Sequence, residues 1–232
     1  MGEKPLLLAP NLASLAYLEA KTQTRRPIKY KDCAGKRRLI PSSAAFVGVR
    51  VGRYVFETDT DMYSLKPFCC EGDRLYVREP FYIIAIDERT GTVDLEYYDG
   101  FQRTGVPISD EKRMAAYLKR RSATPSRILS YPSIHMPAVF SRTRPLVKNM
   151  TVARLTEVTE EDAQAEGYAT RASFLRAFLR IYPECCEKSW VWVITFGREG
   201  KSDGGQAETF CNRGYLAQAG RGEGCSAAKA YD

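Results

Sequence analysis

The hydrophobic pattern near the N-terminus predicts one short helix. Asn11 can cap it, because an asparagine oxygen accepts a hydrogen bond from the first free backbone N–H groups. One face of this helix carries the apolar residues Leu12, Leu15, Ala16 and Leu18. The entirely polar run KTQTRR and Pro27 follow, so we expect the helix to end near Ala20.

Period-two alternation marks the next part of the chain as β structure. Residues 46–56, FVGVRVGRYVF, predict a strand or a hairpin through Gly52, after a basic loop over residues 30–45. The clearest β region is residues 71–98, which opens with a turn at Gly72. There FYIIAI and VDLEYY flank the turn-rich DERTGT, a pattern typical of a hairpin.

The C-terminal half mixes helices and strands. Residues 110–121 predict a basic helix, and residues 122–144 a long loop. The run PLVKNMTVARLTEV reads as a strand, and Trp190 to Phe196 as a closing strand. A helix between them has one apolar face formed by Phe174, Leu175, Phe178 and Leu179.

Local sequence signals mark both the start and the end of a second short helix. Thr159 and Asp162, three residues apart, resemble a capping box at its N-terminus. The helix would reach Glu166, and Gly167 is a plausible stop because glycine readily adopts positive φ.

Many short strands with a few small helices predict an α+β fold built on a small β-barrel rather than a doubly wound sheet. We expect residues 198–232, which are glycine-rich and poor in apolar residues, to form a flexible tail. No run of about 18 apolar residues occurs, so no membrane span is expected. The apolar start is too short for a secretory signal, and a cytoplasmic location is predicted.

The net charge of +7 favours polyanionic partners, because cations bind phosphates and release counterions. Solubility alone is the simpler alternative, but the cations are clustered. The clusters are Arg25-Arg26, Lys36-Arg37-Arg38, Lys119-Arg120-Arg121 and Arg142 with Arg144.

Seven cysteines in an odd, partly adjacent arrangement do not resemble a disulfide scaffold, and we expect reduced thiols. With one histidine and no CxxC spacing, no metal site is expected. The chain has no GxSxG, Walker, GxGxxG or HExxH motif, which disfavours most familiar enzyme classes. No cofactor and no obligatory protein partner are predicted.

The polar run KTQTRR is the remaining candidate for chemistry. In an extended segment Lys21, Gln23 and Arg25 share one side, whereas at a helix exit Lys21 can approach Thr24. A lysine shielded from water has a lowered pKa and can act as a base on a hydroxyl. The alternative is a solvated basic turn with helix-capping threonines.

Five motifs in this order resemble the ASCH-domain family, especially its larger phage and prophage members: KTQTRRPIK, GDRLYVREPF, PSIHMP with SR, TEEDAQAEG and WVWVITF. The resemblance covers most of residues 5–197 and implies a small PUA-like β-barrel domain associated with RNA. Relative to small family members, insertions lie near residues 30–70 and 85–135, and they would shape the cleft.

One branch of that family consists of small bacterial amidohydrolases that deacetylate 4-acetylcytidine, and this chain is similar to them at their site positions. This similarity implies that Thr24 attacks the amide carbonyl, Lys21 activates it and Glu166 moves protons to the leaving amine, with Arg26 also in the site. The implied activity is hydrolysis of an N-acylated cytidine or related base in a nucleoside or RNA. A non-catalytic RNA-binding module and a single-strand ribonuclease remain alternatives.

Three charged candidates for substrate contact lie in the β region. Asp73 could face a cleft, or it could be an ordinary turn carboxylate. Arg78 and Glu79 could form a buried pair at the cleft floor or a plain surface pair.

Three further candidates lie in the predicted loop. Ser133 and His135 sit where functional residues concentrate, and the loop recurs in the family. Arg142 could contact a phosphate, or it could be an ordinary surface charge.

Overall fold

A computed structural model describes residues 3–125 and 128–198. The tail predicted for residues 198–232 lies, from residue 199 onward, outside the described residues, as do Cys211 and Cys225. The five remaining cysteines are free thiols, as expected.

The described chain contains strands β1 (Lys4–Leu7), β2 (Gln23–Pro27), β3 (Lys29–Lys31), β4 (Arg37–Leu39), β5 (Ala45–Arg50), β6 (Arg53–Glu57), β7 (Met62–Leu65), β8 (Leu75–Arg78), β9 (Phe81–Asp87), β10 (Thr92–Tyr97), β11 (Gln102–Pro107), β12 (Leu129–Tyr131), β13 (Leu146–Arg154) and β14 (Trp190–Gly197). Its helices are α1 (Pro10–Tyr17), α2 (Glu111–Ala123), α3 (Glu160–Ala165) and α4 (Arg171–Ile181).

The strands within residues 3–125 and 128–198 form five sheets. Their orders are β1-β8, β11-β10-β9-β12, β13-β14-β2, β3-β4 and β5-β6-β7. The fold is therefore α+β and rich in sheet, as predicted, but these sheets do not close into a barrel. No helix in the described part of the chain is both long and apolar enough to cross a bilayer.

Helix α1 begins two residues earlier than the sequence pattern predicted. Ala9 precedes the first turn without a side-chain cap, and Pro10 occupies that turn, where a missing N–H costs nothing. Asn11 is therefore inside the helix. Its apolar face is formed by Leu12, Ala13 and Ala16, while Leu18 is exposed, because the helix ends at Tyr17.

The predicted basic loop over residues 30–45 instead contains the hairpin β3–β4. Its two strands pair in antiparallel register from Lys29 to Lys31 and from Arg37 to Leu39. The sequence pattern does not indicate this hairpin, because its two strands are mostly lysine and arginine and carry only Tyr30 and Leu39 as apolar residues.

The remaining element predictions are largely confirmed. The hairpin through Gly52 is β5–β6, and FYIIAI and VDLEYY form β9 and β10. The predicted loop over residues 122–144 contains the short strand β12 and two 3-10 turns at Ser133–His135 and Ala138–Phe140.

Helix α3 starts and stops where its local signals place it. The Thr159 hydroxyl accepts a bond from the Asp162 N–H, and the Asp162 carboxylate accepts one from the Thr159 N–H. Glu166 is the C-terminal cap residue, and Gly167 follows at φ +89°. Both ends of the helix are therefore fixed by the sequence itself.

The sheet β13-β14-β2 separates two apolar cores. On one face Trp192, Ile194 and Phe196 pack with α1 and strands β1 and β8. On the other face Val191 and Val193 pack with helices α3 and α4. Strand β2 lies at the edge of this sheet. Because successive side chains of a strand point to opposite faces, its alternate side chains enter different cores.

Candidate functional site

Lys21 lies between α1 and β2 and is buried, with 1% of its surface exposed. Its Nζ donates to the Glu166 carboxylate Oε2 at 2.8 Å, to the Glu166 carbonyl at 2.7 Å and to the Gln23 carbonyl at 2.7 Å. Three acceptors match the three protons of an ammonium group, so the buried lysine is fully satisfied.

Glu166 is brought to Lys21 by the end of α3. The Thr22 N–H donates to the Ala165 carbonyl at 2.9 Å, which ties the start of β2 to the end of this helix. Glu166 itself is 3% exposed. A Cβ at Gly167 would approach Leu15 Cδ1 to 3.0 Å and Leu12 Cδ2 to 3.1 Å, so glycine also permits close packing against α1.

Arg25 completes the network and was not among the predicted site residues. Its guanidinium contacts Glu166 Oε1 at 3.4 Å and Asp162 Oδ2 at 2.9 Å, and it donates to Gln23 Oε1 at 2.6 Å. Lys21, Gln23 and Arg25 thus share one side, as expected for an extended segment. Two cations face two carboxylates, which makes the buried cluster neutral overall.

Burial sets the proton affinities of the central pair. It lowers the pKa of Lys21 and raises the pKa of Glu166, because water that stabilises the charged forms is excluded. The attraction between the two groups acts against burial in each case. The pKa values of the ammonium and of the carboxylate are therefore shifted toward each other.

Lys21 also borders a cleft of about 250 Å³. The cleft lies between the end of α1, the segment 142–145 and the end of β14, and it is lined among others by Thr22, Arg142, Thr143 and Phe196. Ligand pockets are concave and carry a few polar groups among apolar ones, and this cleft has that character.

Thr24 lies on the other side of β2 from Arg25. It pairs with Ile194, whose side chain belongs to the main core, whereas Arg25 pairs with Val193 on the α3–α4 side. Thr24 is 4% exposed. Within the part of the chain that the structure describes, its hydroxyl makes no hydrogen bond to Lys21 or Glu166, and the three bonds of Lys21 Nζ go to Gln23 and Glu166. The structure therefore joins Lys21 and Glu166 directly and leaves Thr24 outside their hydrogen-bond network.

A second buried charge cluster forms the opposite wall of the cleft. The Arg142 guanidinium makes two parallel bonds of 2.8 Å to the Glu79 carboxylate, and it pairs with Asp99 at 2.8 Å. Such a fork is the strongest geometry available to an arginine and a carboxylate. Arg142 also stacks over Tyr97 at 4.5 Å and Tyr17 at 4.7 Å.

Glu79 is completely buried, and burial raises its pKa against the opposing effect of Arg142. Arg142 is therefore occupied by Glu79 and Asp99, although its segment borders the cleft. The neighbouring Thr143 has a buried hydroxyl without a hydrogen-bond partner in this region. Glu79 is thus buried and paired, but its partner is Arg142 and not Arg78 as predicted.

The other predicted site residues lie apart from the Lys21 cluster. Asp73 accepts from the Lys4 Nζ at 2.5 Å and from the Cys70 N–H at 2.8 Å, which makes it a turn carboxylate. Arg26 donates to the Tyr182 hydroxyl at 2.7 Å and to the Leu7 carbonyl.

Ser133 and His135 occupy a 3-10 turn in which His135 is exposed. Neither residue lines the cleft. Arg78 is half-buried, and its Nε has no hydrogen-bond partner within the described region. Across residues 3–125 and 128–198 no group of three or more His, Cys, Asp or Glu is arranged to hold a metal ion.

Two of the missed residues left a signal in the sequence. Arg25 shares the period-two side of Lys21, and Asp162 is the residue that closes the capping box. Tyr17, Asp99 and Thr143 left none, because their roles depend on contacts between segments far apart in the chain.

Comparison of the chain with protein-family models, with curated proteins and with solved structures gives no significant match. The ASCH resemblance consequently stands on the quoted motifs alone.

Proposed function

We propose that this protein hydrolyses the amide bond of an N-acylated cytidine or related modified base, as a free nucleoside or within RNA. One observation carries the proposal: a buried lysine, paired with a buried glutamate at 2.8 Å, borders a cleft. Buried ionisable pairs with opposed pKa shifts concentrate at catalytic sites, although structural ion pairs share this property.

The proposed chemistry uses Lys21 as base, Thr24 as nucleophile and Glu166 as proton carrier. Lys21 first passes a proton to Glu166, and the neutral lysine then takes the hydroxyl proton as the Thr24 oxygen attacks the amide carbonyl carbon. The carbon–nitrogen bond then breaks, and the amine leaves with a proton delivered by Glu166. Water cleaves the resulting acyl ester, which releases the carboxylic acid and restores the hydroxyl. Reaching this arrangement requires Thr24 and Lys21 to approach each other when substrate binds.

The charge distribution around the cleft fits a base with a charged attachment. Lys21 and Arg142 are neutralised by buried carboxylates. At the rim, Arg144 and Arg198 are exposed and pair with exposed glutamates, contacts that contribute little to stability and exchange readily. An uncharged acylated base would therefore lie inside, with a phosphate or ribose near the rim.

The same proposal includes an ASCH-type, PUA-like fold for this protein. The segments KTQTRRPIK, TEEDAQAEG and WVWVITF meet at β2, α3 and β14 around Lys21. The segment GDRLYVREPF and the dipeptide SR meet at the pair of Glu79 and Arg142. Convergence of these segments beside one cleft supports an ASCH-type, PUA-like domain.

The test is incubation of the purified protein with 4-acetylcytidine, with product separated by chromatography. Lys21→Arg keeps the positive charge but cannot release its proton near neutral pH, so we expect turnover to be lost. Thr24→Val and Thr22→Val identify which hydroxyl on this side of β2 reacts. Lys188→Arg, at an exposed position, is the matched control and should leave turnover unchanged.

Two outcomes would contradict the proposal. The first is full turnover by Lys21→Arg, since no arginine can act as the base. The second is absence of turnover by the wild-type protein on acylated cytidine, both as nucleoside and within an oligonucleotide. Thermal melting of each variant shows whether lost turnover reflects chemistry or unfolding.

A further inference from the structure

The hairpin β3–β4 carries an unbalanced charge. Residues 29–39 contain five cations and a single acidic residue, Asp32. Tyr30 lies on the opposite face of the hairpin from Lys31 and Arg37, and it packs against Tyr63 of β7, with ring centroids 4.8 Å apart. The hairpin is thus held to the sheet β5-β6-β7 by its aromatic side.

Lys31 and Arg37 lie directly opposite each other across this hairpin. Directly opposed residues point to the same face with Cβ atoms about 5 Å apart, and like charges in that position are destabilising. Both residues are exposed, and neither pairs with a carboxylate among the described residues. Their neighbour Arg38, by contrast, pairs with Asp32 at 2.6 Å.

The adjacent hairpin repeats the arrangement. Arg50 and Arg53 are directly opposed across β5–β6, and both are exposed. Among the described residues Arg53 donates only to the neutral Ser64, through its hydroxyl at 2.8 Å and its carbonyl. Lys66 follows the end of β7 beside them, because Leu65 pairs with Tyr54. The opposite end of this sheet carries the acidic residues Glu57, Asp59 and Asp61.

A protein does not need two pairs of opposed cations on neighbouring hairpins in order to be soluble. Such surfaces intersperse charges of both signs, which lowers self-repulsion. Here carboxylates are placed for Lys29 and Arg38 but not for the four opposed cations. A polyanion would remove this repulsion by supplying the missing counter-charges.

We propose that the two opposed cation pairs, Lys31–Arg37 on β3–β4 and Arg50–Arg53 on β5–β6, bind phosphates in the backbone of a nucleic acid strand. Phosphate contacts position a strand without reading its sequence, so the surface should bind many sequences. The inference does not depend on deacylation: binding here can hold whether or not the cleft is catalytic.

The test is fluorescence anisotropy with a labelled single-stranded oligonucleotide, in RNA and DNA forms of one sequence, across a series of KCl concentrations. The variants are Lys31→Thr with Arg37→Thr, and Arg50→Thr with Arg53→Thr. Arg89→Ala with Lys112→Ala is the control, because it removes the same net charge from exposed positions outside the hairpins.

We expect each hairpin variant to bind more weakly than the control at low salt. The slope of log affinity against log salt concentration should fall in magnitude by about 1.4, since each phosphate contact with a single strand contributes about 0.7. The melting temperature should stay the same or rise, because a like-charge pair has been removed. Weaker binding together with unchanged or higher stability cannot come from unfolding.

The RNA and DNA oligonucleotides show which nucleic acid is bound. If the hairpin variants lose affinity for both, the contact is to the phosphates that the two share; if they lose affinity for RNA alone, the surface binds RNA. The proposal is overturned if the wild-type protein binds neither strand at low salt. It is equally overturned if the control loses as much affinity as the hairpin variants. Hydrolysis of free 4-acetylcytidine by the hairpin variants should match wild type, which separates this proposal from the cleft chemistry.

Discussion

Removing one charge of the buried pair gives a sharp test of the network around Lys21. Glu166→Gln keeps a side-chain oxygen that can accept from Lys21 Nζ, and it leaves the two backbone acceptors in place. The changes are the loss of the negative charge 2.8 Å from a buried ammonium and of the 3.4 Å contact between Glu166 Oε1 and Arg25. Arg25 retains Asp162 as its partner.

The expected cost is about 3–5 kcal/mol, the range for leaving one member of a buried ion pair uncompensated. Such a loss is a large share of the roughly 5–15 kcal/mol that stabilises a typical domain. For a protein of this size it corresponds to a fall in melting temperature of roughly 6–20 °C.

The cost should depend on pH with a definite sign. Burial is the main cause that lowers the pKa of Lys21, and Glu166 is the main group that opposes it. In Glu166→Gln the folded-state pKa of Lys21 therefore falls further below its unfolded value. The unfolded state then binds more protons, so stability of the variant rises with pH until Lys21 is also neutral when unfolded, near pH 10.

Urea unfolding at several pH values measures these effects, with Glu187→Gln as a control at an exposed position. Lys21→Met and the double variant complete a mutant cycle. The double variant should be far less destabilised than the sum of the single variants, because it leaves neither charge unpaired. Additive losses, or a penalty for Glu166→Gln below about 1 kcal/mol, would refute the view that Lys21 and Glu166 form one charged unit.

Two other positions give independent expectations. Arg142→Gln should destabilise the protein by about 3–5 kcal/mol in urea unfolding, because Glu79 is left buried without its bidentate partner; a loss near zero would show that this pair is not needed. Gly167→Ala should cost about 1–3 kcal/mol, since the residue has φ +89° and its Cβ would meet Leu15 at 3.0 Å. An unchanged melting curve would contradict that crowding.

The part of the candidate site that could be predicted from sequence is the part specified locally. Thr159 and Asp162 bond each other within one helical turn, so their spacing fixes the start of α3, and Gly167 marks its end beside Glu166. Likewise, alternation along the extended segment that leads into β2 places Lys21 and Arg25 on one side.

The rest depends on contacts between distant segments. Glu79 is 63 residues from Arg142, and nothing in either segment favours this partner over Arg78. The position of Thr24 also depends on register, because pairing with Ile194 turns it toward the main core and leaves Arg25 facing α3 and α4. A shift of one residue would exchange the two faces, and local sequence does not fix such a shift at a sheet edge.

The cleft and the cationic hairpins differ in how their charges are compensated, and this difference makes their roles separable. Around the cleft, Lys21 and Arg142 are buried, and each is paired with a carboxylate, so altering either one disturbs folding as well as chemistry. On the hairpins, Lys31 and Arg37 are exposed and unpaired among the described residues, so their removal leaves no buried charge behind. Variants of the hairpins can therefore change affinity for nucleic acid without loss of stability. Variants of the cleft pairs cannot be interpreted without the unfolding measurements that accompany them.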